Sequence, residues 1–134
     1  MKMATTGKFS FEASELGNFK ASELTLSEVG NLFKVVAIQR IGAKSGGWFS
    51  MDIEKFDGTK TFKDEQLPVI KYISRNDDFN FKYTATSGSL KATIEAGVVA
   101  ISGTFNLEMS ADADSDPQGP KKLSITNGAF DLKN

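Results

Sequence analysis

Asp112, Asp114 and Asp116 stand at alternate positions in SADADSDPQGPKK, residues 110–122. That is the spacing with which a helix-flanked calcium loop begins. Such a loop also needs a glycine at its sixth position, for the sharp turn, and a bidentate glutamate at its twelfth. Counted from Asp112, those places hold Pro117 and Leu123, so the motif is not completed. A weaker calcium site, built from the three carboxylates and water, is the one metal reading that survives. The competing reading is a solvated connection between two strands. In it Pro117 and Pro120 stiffen the reversal, Gly119 supplies permissive backbone, and the three like charges keep the loop wet. The residue types favour the connection.

Few other residues offer chemistry. Asp52 and Glu54 share one face of a strand pattern, with Cβ atoms roughly 7 Å apart, the kind of pair that glycoside chemistry uses. Met51 and Ile53 point the other way, which puts the two acids on the face expected to meet water, without the burial that raises a catalytic acid's pKa. The stretch GAKSGG, residues 42–47, lacks the Lys-Ser/Thr of a phosphate loop and opens no helix. The chain has no cysteine and no histidine, which closes thiolate, imidazole, disulfide and histidine-zinc chemistry. No catalytic residue and no cofactor is therefore expected, and the chain reads as a protein that is not an enzyme. Trp48, beside Gly46-Gly47 near a loop tip, is a candidate contact for a partner or a sugar, or else a cover for the end of the core. Arg40 and Arg75 are the two arginines of the chain. Arg40 joins Trp48 as a candidate contact, and either arginine is able to anchor an anion.

The elements that would position these residues are strands. Phe9, Phe11 and Ala13 alternate with polar neighbours, as do Phe79, Phe81, Tyr83 and Ala85, then Leu90, Ala92, Ile94 and Ala96, then Val99, Ile101, Phe105, Leu107 and Met109. Side chains at every second position on one face are the signature of a strand. NLFKVVAIQRI is apolar on both faces near its middle and GWFSMDIEKF alternates, with GAKSGG between them as a hairpin connection. KASELTLSEVG reads as a strand or a frayed helical turn. In DEQLPVIKYIS, Pro68 lacks an amide donor and predicts a short edge strand beginning after it. In KKLSITNGAFDLK, Leu123 and Ile125 differ in parity from Phe130 and Leu132, so a β-bulge at Asn127-Gly128, with left-handed backbone, is needed to bring both pairs inward. The 134 residues thus read as a single all-β domain of eight or nine antiparallel strands, mostly a meander, forming a β-sandwich or a flattened barrel.

SGSLKATIEAGVVAISGTFNLEMSAD followed by KKLSITNGAFDLK resembles a family of uncharacterised small bacterial β-proteins, many of them Bacteroidetes lipoproteins. The likeness lies in Ile101, Gly103, Thr104 and Phe105, then Ile125, Thr126, Asn127, Gly128 and Phe130, and covers about residues 78–132. It implies an all-β domain and brings no catalytic residues. The chain departs from that pattern in having neither an export signal nor a lipid-bearing cysteine.

Sixteen basic and seventeen acidic residues leave a formal charge of −1, spread along the chain, so nucleic acid is not expected as a partner. No apolar run is long enough to span a membrane. MKMATTGK does not open a signal peptide, so a soluble, cytoplasmic protein is expected unless another address exports it. The function expected is a non-enzymatic binding or interaction module for an unidentified protein or small molecule, its oligomeric state open. One alternative is a carrier holding a lipid or small apolar ligand in a barrel interior. The other is a structural or effector-associated protein that assembles through edge strands.

Overall fold

Alternating sequence becomes alternating burial throughout the computed structural model, which describes residues 5–43 and 45–134. Strand β1 (Thr6–Ala13) buries Phe9, Phe11 and Ala13. The short β2 (Gly17–Lys20) buries Phe19, and β3 (Glu23–Val29) buries Leu26. Strand β4 (Leu32–Arg40) turns Phe33, Val35 and Ala37 inward, and β5 (Gly46–Glu54) turns Phe49, Met51 and Ile53 inward. After β6 (Gly58–Lys63) and a 3-10 turn (Asp64–Gln66) come β7 (Val69–Arg75), β8 (Asn80–Ile94), β9 (Ala100–Ala111) and β10 (Lys122–Lys133).

The strands form one antiparallel sheet in the order β2-β1-β10-β9-β8-β7-β5-β4-β3, with β6 paired to the far half of β8. The sheet curls into a half-barrel. Its two ends are tied together at the chain step between β2 and β3. The Ala21 amide donates to the Phe9 carbonyl of β1, and the next amide, Ser22, donates to the Ile38 carbonyl of β4. Further along, the Thr5 hydroxyl accepts the Leu26 amide proton at 2.9 Å, while the Asn134 side-chain amide donates to the Leu26 carbonyl at 2.8 Å. Both outward backbone groups of Leu26 on edge strand β3 are thereby satisfied.

Aromatic rings fill the concave side. Phe11 stacks on Phe19 at 4.6 Å between centroids, Phe9 lies 5.1 Å from Phe49, and Phe49 lies 5.3 Å from Phe105. Each large side chain buried this way contributes about 1.5–3 kcal/mol.

Four features differ from or refine what the sequence predicts. The described residues form ten strands, because the short β2 and β6 add two while residues 80–94 form one long strand. That strand, β8, shifts register between Ala85 and Ser87, so its buried set changes from Phe81 and Tyr83 to Leu90, Ala92 and Ile94. KASELTLSEVG resolves as strand β3. Strand β7 is not an edge strand: it lies between β5 and β8, because Pro68 falls just outside the ladder and costs it no hydrogen bond. Among the described residues no helix is long and apolar enough to cross a membrane.

Candidate functional site

The convex face of β4, β5 and β7 carries the residues that the inward alternation leaves out. Inward Ala37, Phe49 and Tyr72 oblige Ile38, Trp48 and Ile73 to point outward, and register aligns these three in a row across the strands. One rung further, Arg40 is opposite Gly46 and Gly46 is opposite Arg75. Together they line a shallow hollow of about 60 Å³ at the end where β4 turns into β5. The Ile41 and Gly42 amides both donate to the Ser45 carbonyl, closing that turn.

Gly46 makes the hollow. A Cβ there would collide with the Gln39 carbonyl oxygen, so this rung has no side chain between its two arginines. The arginines are held from behind. Arg40 Nε donates to the Glu23 carboxylate, and Arg75 Nε donates to Asn80 Oδ1 at 2.8 Å. Trp48 is 45 % exposed, and Ile41 on the adjoining turn is 71 % exposed. A second hollow shares Arg75 and Ala43 and runs along the 76–79 turn, where Asn76 Oδ1 accepts the amides of Asp78 and Phe79.

Trp48 and Arg40, singled out in the sequence for separate reasons, are thus neighbours. Arg75, weighed in the sequence only as a lone anion anchor, joins them although it lies thirty-five residues beyond Arg40. A signal for it exists: β4 ends in Ile38-Gln39-Arg40 and β7 ends in Ile73-Ser74-Arg75, the same Ile-X-Arg ending on two strands that flank β5.

The acidic stretch 112–116 has a different role. Asp112 Oδ1 accepts the Thr84 hydroxyl at 2.6 Å, and its other oxygen lies 3.9 Å from Lys71 Nζ. Asp114 pairs with Lys82 at 2.8 Å, and that hydrogen bond holds its carboxyl below the usual carboxylate range. Asp116 accepts the Asn80 amide at 2.6 Å. The three carboxylates therefore engage three separate protein donors, and among the described residues no cluster of acids is gathered as a metal-binding group. Asp52 and Glu54 lie on the convex face, Asp52 between Lys34 and Val69 in the ladder.

The Tyr83 hydroxyl, inside the half-barrel, donates to the Pro120 carbonyl at 2.8 Å. Burial pushes its pKa up to about 12, with Tyr72 and Glu15 adding to the rise. Burial likewise raises Tyr72.

The chain matches no family model, no curated protein and no solved structure.

Proposed function

We propose that this chain is a non-enzymatic binding module that meets its partner through the convex face at the turn end of β4, β5 and β7. The observation that carries this reading is the meeting of Trp48, Arg40 and Arg75 in one hollow. Tryptophan and arginine are the residue types that most often dominate contact energy. Trp48, left 45 % exposed in a row with Ile38 and Ile73, forms an apolar centre with the two arginines at its rim, the composition of a contact surface.

Close ring packing on the concave side favours contact from outside over carriage of an apolar ligand within. Edge strand β6 bears Lys60 and Lys63, and lysines on an edge oppose assembly by strand pairing. Asp52 and Glu54 face outward beside Lys34, a setting without the burial that acid catalysis demands. The likeness to small bacterial β-proteins rests on residues of β9, β10 and their bulge, whose types sheet geometry itself demands. It supports the fold and names no partner.

A photo-crosslinking amino acid placed at position 48 is expected to give a discrete product in host cells, and the same group at position 104, on outward-facing Thr104 of β9, is expected to give none. Equal products at both positions, or none at position 48, would refute this face as the contact.

A further inference from the structure

We propose that the occupant of the hollow is a segment of a partner polypeptide that presents one carboxylate beside an apolar side chain. The carboxylate is held between Arg40 and Arg75, and the apolar group lies on Trp48. The inference rests on the reading of this face as a contact surface and adds the chemistry that the face selects.

Register supplies the first argument. Arg40 and Arg75 stand on strands either side of β5, so their backbones are two strand spacings apart, roughly 9.5 Å. Two long side chains rising on either side of a residue that has none can close on a single small anion above it. Gly46 is required there by the Gln39 carbonyl, which makes the opening between the guanidinium groups a fixed property of the backbone.

Preorganisation supplies the second. The side-chain hydrogen bonds that these arginines make to described residues run from Nε, to Glu23 and to Asn80. The guanidinium planes are oriented in advance while their terminal nitrogens take no part in those bonds, which lowers the cost of ordering them on binding.

Charge decides the kind of anion. Glu23 stands against Arg40, and Asp77 and Asp78 line the hollow that shares Arg75. Among the described residues the arginines thus have acids for neighbours, and a polyphosphate or nucleic acid would meet these acids as well as the arginines. A single planar carboxylate, paired by direct hydrogen bonds to the guanidinium forks, takes the attraction while meeting far less of that repulsion than a polyanion.

Shape decides the source. The hollow opens on a convex surface, whereas small-molecule sites enclose most of their ligand. Ile38 and Ile73 extend the apolar surface on either side of Trp48, so affinity has to be gathered over a wider contact, as a polypeptide does.

The chain has one tryptophan, so its indole N–H gives one NMR resonance that reports on this hollow. Titration with the peptide acetyl-Gly-Phe-Glu-Leu-Gly-amide is expected to shift that resonance saturably at millimolar concentration. The glutamine analogue is expected to bind about tenfold more weakly, as are Arg40→Gln and Arg75→Gln with the glutamate peptide, the scale of one charge-assisted pair. Arg75→Lys, which keeps the charge but loses the planar fork, is expected to weaken binding too. Unchanged resonances elsewhere show that each variant is folded. Equal binding of the glutamine peptide would overturn the carboxylate assignment and leave the contact surface standing. So would a shift produced by inorganic phosphate or by maltohexaose while the peptides remain silent. Silence from every probe would overturn the inference as well, whereas the cross-link at position 48 tests the contact surface without using any of these probes.

Discussion

At position 128 the demand for glycine comes from a neighbour. Asn127 is the left-handed residue of the β10 bulge, with φ of 53°, and this corrects the expectation that both residues of the pair adopt that backbone. The Phe105 ring lies so close to Gly128 that a Cβ would collide with it. The register shift between Ile125 and Gly128 then turns Phe130 and Leu132 to the same side as Leu123 and Ile125. Gly128→Val has to displace Phe105, which itself packs on Phe9 and Phe49. Chemical denaturation is expected to show a loss of about 1–3 kcal/mol, the scale of overpacking in a core. An unchanged midpoint would mean that Phe105 does not pack on this glycine.

The 112–116 stretch acts as a substitute strand. β9 ends at Ala111, yet β8 begins at Asn80, so the first residues of β8 lack a ladder partner on that side. The connection supplies one: Asp112 and Asp116 amides donate to the Lys82 and Asn80 carbonyls, while Ser115 and Asp116 side chains accept the Lys82 and Asn80 amides. Asp116→Ala leaves the Asn80 amide unpaired and is expected to cost about 1–2 kcal/mol. Because each aspartate already has a protein donor, millimolar calcium is expected to leave the melting temperature unchanged, and a rise would revive the metal reading. The Asp114–Lys82 pair has a lowered carboxyl pKa, so its support is present above the ordinary carboxylate range and fades as pH falls through the lowered value.

Taken as a whole, the molecule is a curled sheet whose aromatic interior excludes water. Its two tyrosines report on that interior, since both are buried. Tyrosinate absorbance in the native protein is expected to rise later than for free tyrosine, at about pH 12 for Tyr83 and above the ordinary value for Tyr72, and to return to the ordinary value in denaturant. The sign follows from linkage. A folded-state pKa above the unfolded one gives stability that is complete below pH 10 and is lost as pH rises towards 12. A native titration at the ordinary tyrosine value would mean that water reaches the rings.

Much of this fold is legible one strand at a time. Because side chains alternate between the faces of a strand, the spacing of Phe9 with Phe11, or of Ile101 with Phe105 and Leu107, fixes which side of each is buried, and the parity break at Asn127 predicts the bulge. The count from Asp112, which meets Pro117 and Leu123 where glycine and glutamate are needed, likewise disposes of the standard calcium loop on residue identities alone. Relations between strands are another matter. That β7 sits inside the sheet, that residues 80–94 run as one strand, and that Arg40 faces Arg75 across Gly46 all depend on pairing order and register. Those are set by how all the apolar faces fit together in one core. No short stretch of sequence contains that sum, so Trp48 and Arg40 are visible as residues, while the site they form with Arg75 emerges only from the packed sheet.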